Sequence, residues 1–351
     1  DLPRVWAGSD YVAEQFIRDA DLGDWLAGCA LKARLEPGRL GEEISQAVMA
    51  CDDEDALKAT LRRLRHRHMV RLIWRDLTGL ADYHATVADL SLLADTLIAT
   101  ALEKLYQWAC ERNGTPRDEQ GRPVKLVVLA MGKLGARELN LSSDIDLIFA
   151  YEDEGEIEGE RRNLTHHQFF LRLGQQLIKA LDQTTGDGFV FRVDMRLRPW
   201  GKSGALAVGF DAMESYYENQ GREWERYAWI KARGVRENVV ILGKGAHPPE
   251  CTPDAMARQL EESLDRLQTD YLDIYCLHRD NPDIPIAEWV DALHAEMDKG
   301  RIRVLGGSNW TAARIDAANE YAQSKGGSGF SLVSNNFSLA RMEKPVWDGC
   351  L

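Results

Sequence analysis

The sequence predicts a multidomain chain: an all-α N-terminal region, an α/β domain with a mixed sheet, and a run of alternating strands and helices. Three observations predict it. Residues from about Ser9 to Arg112 carry apolar side chains at three- and four-residue spacing with long stretches free of Pro and Gly. Short apolar runs then appear, each stopped by Gly or by charged residues. After Arg233 strand and helix patterns alternate at roughly thirty residues per unit, the signature of a parallel sheet or an α/β barrel.

In the first region, residues 56–77 (ALKATLRRLRHRHMVRLIWRDL) and 88–111 (ADLSLLADTLIATALEKLYQWACE) are the clearest helices. The loop 112–123 switches the pattern. KLVVLAM (125–131) and DIDLIFAY (144–151) read as adjacent buried strands joined by a Gly-containing loop and a helical turn. An acidic loop (152–160) precedes a helix over 166–183. FVFRVDMRLRP (189–199) alternates like a strand, and 210–233 reads as one closing helix. Later strands are expected at 239–245, 271–277, 301–307 and 330–336, with helices over 253–267, 286–300 and 311–325. The stretch 231–238 (KARGVREN) is the expected seam between the two patterns.

Composition narrows the function. A chain of 351 residues with 44% hydrophobic and 28% charged residues can bury a sizeable core. Its net charge of -13 argues against a general nucleic-acid or membrane-surface binder. No run of about 18 apolar residues is present, so no membrane-spanning helix is expected. The first residues, DLPRVWAGSDYV, have neither the basic nor the apolar region of a signal peptide. They also lack an initiator Met, which suggests a fragment or a processed start. Six scattered cysteines without a CxxC pair suggest reduced thiols and a cytoplasmic location.

The chemistry concentrates in ELNLSSDIDLIFAY (138–151). Strand side chains alternate, so Asp144 and Asp146 are expected on one face. Two such carboxylates can bridge divalent cations about 4 Å apart, the arrangement used in phosphoryl and nucleotidyl transfer. Oxygen-only ligands favour Mg²⁺ or Mn²⁺. In 189–199 the alternation places Asp194 in a row with Arg192, Arg196 and Arg198, as a third metal ligand among phosphate-binding guanidiniums. Gly132 and Gly135 would let the backbone approach a phosphate at a helix start, with Lys133 nearby. The bland reading makes Asp144 a strand cap, pairs Asp146 with an arginine and leaves the Arg row solvated.

Other signals are weaker. His66 and His68 lie two apart on a helix, about 200° round, and cannot share a metal. Their basic run reads as a solvated face, and His166-His167 as an exposed helix start. HRDNPDIP (278–285) lacks the Asn spacing of a kinase loop, and WGKSG (200–204) lacks the first Gly of a P-loop.

MGKLGARELNLSSDIDLIFAY, FVFRVDMRLRPWGKSG and QGREWERYAWIKAR resemble the nucleotidyltransferase core of the bifunctional glutamine synthetase adenylyltransferase/adenylyl-removing enzymes. The helices from LPRVWAGSDYVAEQ onward resemble that family's N-terminal region, so the likeness covers about residues 1–233. The loop TPRDEQGRP and the spelling GKLGARELN resemble its first catalytic domain, which removes AMP. The resemblance implies phosphorolysis of adenylyl-tyrosine on glutamine synthetase, releasing ADP. Asp144, Asp146 and Asp194 would be catalytic and hold metal. Gly132, Lys133, Ser142 and Ser143, with Arg196 and Arg198, would hold phosphates and the adenine nucleotide. A PII-type signalling protein is an implied further partner. The family's second transferase domain and regulatory region are not in this sequence, so adenylylation is not expected.

Residues 234–351 resemble the aldo-keto reductases through VVILGKGAHPP, SLDRLQTDYLDIYCLHRDNPDIP and RIRVLGGSNWTAARIDAANEYA. The resemblance implies strands three to six of a (β/α)₈ barrel, a partial barrel of four βα units. Lys244 and His278 match two of the family's catalytic set, and Ser308 and Asn309 the pair holding the nicotinamide amide. The strands bearing its Asp and Tyr would precede Val239, where the other family's sequence stands, and the NADPH phosphate grip would follow Leu351. The sequence divides as 1–120 helical region, 121–233 nucleotidyltransferase domain and 234–351 partial barrel. Alternative readings are an NADPH-dependent reductase fragment or a catalytically dead composite of two unrelated genes.

Overall fold

The computed structural model describes residues 2–152, 154–157, 164–235, 242–246, 249–267 and 269–334. The chain divides into two compact units, Asp1–Glu237 and Asn238–Leu351.

The first unit opens with six helices: α1 (Leu2–Gly8), α2 (Asp10–Arg18), α3 (Leu22–Gly28), α4 (Pro37–Met49), α5 (Glu54–Leu77) and α6 (Tyr83–Asn113). The two long ones start where the sequence supplies caps. Asp53 accepts hydrogen bonds from the Asp55 and Ala56 N–H groups, and Asp82 from that of Ala85. Gly114, with φ of 87°, ends α6 in a conformation few other residues adopt. By length and composition α6 is apolar enough to cross a membrane. Its Leu90, Leu93, Leu97, Ile98 and Leu105 are instead buried in the unit's core.

The basic face of α5 is not solvated as the sequence suggested. Arg62, His68, Arg71 and Arg75 are buried. Arg62 donates to the carbonyls of Lys58 (2.8 Å), Ala180 (3.1 Å) and Gly188 (2.8 Å), and to that of Gln183. Arg75 bonds the Leu31 carbonyl at 3.0 Å and the buried Asp89 carboxylate at 2.5 Å. Arg62 and Arg75 thus meet carbonyl and carboxylate acceptors away from water, whereas Arg71 donates to the Ala30 and Ala33 carbonyls through Nη2 alone and its buried Nη1 has no hydrogen-bond partner among the described residues. His66 is bridged by the Tyr11 hydroxyl (2.7 Å) and the Asp187 carbonyl (2.8 Å).

A mixed sheet follows. Its strands are β1 (Leu126–Met131), β2 (Ile145–Tyr151), β5 (Val193–Asp194), β6 (Ala207–Gly209) and β7 (Arg233–Gly234). Between them lie the single turn α7 (Gly132–Gly135), the small ladder β3 (Glu156–Ile157) with β4 (Leu164–Thr165), and helices α8 (His166–Asp182), α9 (Phe210–Asn219) and α10 (Glu223–Ala228). The order is β5-β2-β1-β7, with β6 also beside β2. β1 runs antiparallel to β2 and β7, while β5 and β6 run parallel to β2. One hydrophobic core extends from Leu40 on α4 through α5, α6, β1, β2 and α8 to Val235.

Three expectations fail here. His166 is fully buried against Phe170, and its backbone N–H donates to the Gly155 carbonyl. The alternating stretch 189–199 yields only the two-residue β5, because Arg198 N–H folds back to the Met195 carbonyl at 3.3 Å. The stretch 210–233 is not one helix. The N–H groups of Gln220 and Gly221 both turn back to Tyr216, α10 restarts after Arg222, and Arg233–Gly234 pairs with β1.

The second unit is a parallel sheet whose order follows the chain: β8 (Leu242–Gly245), β9 (Leu272–Leu277), β10 (Ile302–Ser308) and β11 (Phe330–Ser334). Helices α11 (Pro253–Leu267), α12 (Ile286–Asp298) and α13 (Ala312–Ser324) connect the strands. Its own core gathers Met256, Tyr275, Trp289, Leu293, Trp310 and Phe330. Residues 239–241 and 335–336 of the expected strands lie outside the described residues.

Candidate active site

β2 is built to hold one polar side chain in an apolar sheet. Every residue of Ile145–Tyr151 is buried except Asp146. Asp146 stands opposite Met131 at the end of β1 and opposite Asp194 on β5. Register thus brings two of the three predicted carboxylates side by side. Asp144 falls just before the strand, and the N–H of Ile145, one residue on, donates to the Arg192 carbonyl. The Asp144 carboxylate accepts a 2.5 Å hydrogen bond from Arg192 Nε, and Arg192 also donates to the Ser142 carbonyl at 2.5 Å.

Asp194 is held by its neighbour. The Arg196 backbone N–H reaches Asp194 Oδ1 at 2.8 Å, and Arg196 Nε reaches Oδ2 at 2.6 Å. This hydrogen bonding holds the Asp194 carboxyl below the usual range, and Asp194 raises the pKa of Arg196 in return. Asp146 behaves oppositely. Burial first, then the charges of Asp194 and Asp144, push its carboxyl up. Among the described residues its carboxylate has no hydrogen bond or salt bridge.

The glycine turn closes the other side. Gly132 has φ of 55°, and a Cβ there would lie 2.7 Å from Asp146 Oδ2. The backbone therefore comes up against the carboxylate at a place only glycine permits. α7 is a single turn, so the expected helix start brings no sizeable dipole. The turn does carry Lys133, whose Nζ donates to Ser143 Oγ at 3.1 Å, while Ser143 Oγ donates to Asn140 Oδ1 at 2.7 Å. Ser142 is exposed beside them.

Arg198 does not join this cluster. Its guanidinium donates to the carbonyls of Met195 (2.7 Å), Lys202 (3.1 Å) and Gly204 (3.2 Å), tying the loop after β5 together. The sequence reading missed Asp95 and Arg233. Arg233 on β7 donates to the Leu134 carbonyl at 3.0 Å and the Gly135 carbonyl at 3.3 Å, and pairs with Asp95 of α6 at 2.8 Å. An acid in the apolar run LSLLADTLIA was the available signal. Burial pushes the Asp95 carboxyl up to about 6 despite the opposing charges of Arg233 and Arg137.

The all-oxygen donor set fits a hard divalent cation, and the unpaired, repelled Asp146 carboxylate is where its charge would be relieved. Asp144 and Asp194 rest on arginines, and among the described residues no three His, Cys, Asp or Glu side chains converge as a metal cage. A groove of about 460 Å³ elsewhere in this unit, lined by Glu54, Arg112, Phe169, Arg172, Gln176 and Lys179 among others, contains none of the predicted site residues.

In the second unit the four reductase-like residues gather at one edge. Lys244 lies near the C-terminal end of β8, and His278 directly follows β9, its N–H donating to the Gly245 carbonyl at 2.6 Å. Ser308 ends β10, nearly fully buried. Asn309 follows with φ of 57°, its Nδ2 donating to Ser308 Oγ at 3.3 Å. All four occupy the C-terminal edge of a parallel sheet, where such folds place their ligands.

Comparison with known proteins matches residues 1–241 to the glutamate-ammonia ligase adenylyltransferase family. The chain belongs to that family. Residues 209–350 match the aldo/keto reductase family, and the two matched stretches overlap over 209–241. Relatives named bifunctional glutamine synthetase adenylyltransferase/adenylyl-removing enzyme include one from Pseudomonas aeruginosa, 55% identical over 240 residues (67% of this chain, 24% of the relative). Another, from Pseudomonas syringae pv. tomato, is 55% identical over 234 residues (66% and 24%). That from Hahella chejuensis is 50% identical over 246 residues (68% and 25%). The chain spans about a quarter of the length of these relatives.

Proposed function

We propose that residues 121–233 form a nucleotidyltransferase-fold domain, packed in one core with α4, α5 and α6 of the helical region 1–120, that removes AMP from adenylylated glutamine synthetase by phosphorolysis. The observation carrying this reading is Asp146: a desolvated, unpaired carboxylate beside Asp194, facing the Gly132 backbone. A phosphate oxygen attacks the phosphorus of adenylyl-tyrosine, the phosphorus–oxygen bond to tyrosine breaks, ADP leaves and the tyrosine oxygen takes up a proton. Asp144, Asp146 and Asp194 would hold Mg²⁺ or Mn²⁺, which when bound would neutralise charge building on the transferred adenylyl group.

The chain's own residues do the positioning. The Gly132 turn lets phosphate oxygens approach the backbone, and Lys133, placed by Ser143, offers them a cation. Ser142 and the guanidiniums of Arg192 and Arg196 line the exposed rim. Arg192 and Arg196, which here pair with Asp144 and Asp194, would be the guanidiniums at hand for a nucleotide phosphate were a cation to take up those carboxylates. The test is phosphate- and Mg²⁺-dependent ADP release from adenylylated glutamine synthetase. Asp146→Asn should lower it by about a thousandfold, in line with loss of a group acting only in the transition state. No release by the wild-type chain would overturn the reading.

For residues 234–351 the proposal is a partial (β/α)₈ barrel, supported by four parallel strands in chain order. Lys244, His278, Ser308 and Asn309 are its reductase-like remnant, without NADPH-dependent reduction. Loss of NADPH absorbance with an aldehyde substrate would refute that.

A further inference from the structure

Three structural facts converge on Arg233. It is nearly buried, it sits opposite Ala130 in the β1–β7 ladder, and its guanidinium grips the two carbonyls that end the Gly132–Gly135 turn. The same turn is pressed from the other side. A Cβ on Gly135 would lie 1.8 Å from the Lys231 carbonyl oxygen, so the backbone before Arg233 touches the turn directly. Lys231 Nζ adds a 3.0 Å ion pair to Glu138 just beyond it. The charge of Arg233 is in turn met by Asp95, from the middle of the core helix α6.

The contact chain therefore runs from a rigid helix to the proposed phosphate-binding backbone. Asp95 fixes Arg233, Arg233 fixes the Leu134 and Gly135 carbonyls, and the other end of that one turn is Gly132, which abuts Asp146. A guanidinium suits this task because its planar fork can hold two carbonyls and a carboxylate at once. An ammonium would keep the charge and lose the fork.

We propose that Arg233, anchored by Asp95, is a positioning residue that holds the Gly132–Gly135 turn in place for the incoming phosphate. The proposal rests on the phosphorolysis reading, and it gives a regulatory handle to the same site. The groups facing Asp95 are Arg233 on β7 and Arg137 beyond α7. With its carboxyl pushed up to about 6, Asp95 is charged at neutral pH and becomes neutral in mild acid. Arg233 then loses its counter-charge, and the turn loosens.

The experiment uses the full chain with Arg233→Gln, Arg233→Lys and Asp95→Asn. Hydrogen exchange is followed at residues 132–139 and, as an internal reference, at 145–151. In parallel, ADP release is measured as a function of phosphate and pH. For Arg233→Gln, exchange at 132–139 should accelerate while 145–151 stays protected. The KM for phosphate should rise by on the order of a hundredfold, the scale of an ångström-sized misplacement. Arg233→Lys should recover part of both losses. The wild-type KM should climb as pH falls through about 6, and that limb should be absent in Asp95→Asn. Unchanged exchange at 132–139, or an activity loss explained wholly by unfolded protein with KM unaltered, would overturn the proposal. Should the wild type release no ADP, the phosphorolysis reading falls alone, and the exchange arm still decides whether Arg233 holds the turn.

Discussion

The carboxyl of Asp146 works against the fold that carries it. Its pKa is raised in the folded state, so protonation is favoured there, and its contribution to stability is lost as pH rises through the folded value. Asp146→Asn should therefore stabilise the first unit at neutral pH by about 1 kcal/mol, the common gain from relieving a site kept for function. The gain should shrink toward acid pH, where the wild-type carboxyl is already protonated. Urea unfolding of both forms across pH checks this, and an Asn variant less stable than wild type at neutral pH would contradict it. Asp144 and Asp146 were legible as a pair because DxD at a strand start is spelled in consecutive residues. That Asp144 would lean on Arg192 was not legible, since the partner lies 48 residues away and depends on how β5 meets β2.

Arg62 shows how one side chain joins two helices. From α5 it reaches the carbonyls of Ala180 and Gln183 at the end of α8, and that of Gly188 in the loop beyond. Arg62→Leu would leave these acceptors without their donor in the unit's interior. A loss of about 2–3 kcal/mol in the first unit is expected, the size of a few unsatisfied buried groups. A denaturant midpoint equal to wild type would show that water replaces the guanidinium at no cost. Helices α5, α6 and α8 were readable because apolar spacing is a local property, as were β1 and β2 as uninterrupted apolar runs. The stretches 189–199 and 210–233 misled for the complementary reason. In the first, the guanidinium and N–H of Arg198 find loop carbonyls and bend the chain. In the second, Arg233 and Gly234 leave a helical pattern to pair with β1 across the sheet. The buried face of α5 was misread likewise, because sequence displays the charges of Arg62, Arg71 and Arg75 and hides the carbonyls that receive them.

Hydrophobic clusters that never cross from one unit to the other imply two separate stabilities. The core around Leu57, Leu97 and Phe149 shares no residue with that around Tyr275, Trp289 and Trp310, and the boundary between the units falls at Glu237–Asn238, inside the stretch where the two family matches overlap. The second unit is also the more vulnerable of the two. Its sheet is bounded, among the described residues, by β8 and β11, on which Leu242 and Val333 are 43% and 50% exposed. Parallel strands with open edges invite pairing with other chains. Heating the full chain should therefore give two transitions, the lower one depending on protein concentration. Trp289→Ala, which empties the centre of the second core, should cost about 4 kcal/mol there and move the lower transition alone. Arg62→Leu should move the upper one alone. Calorimetry with both variants decides the matter. Each variant shifting its own transition means the units fold independently, whereas both shifting a single transition would mean that the two cores, though built from different residues, melt as one.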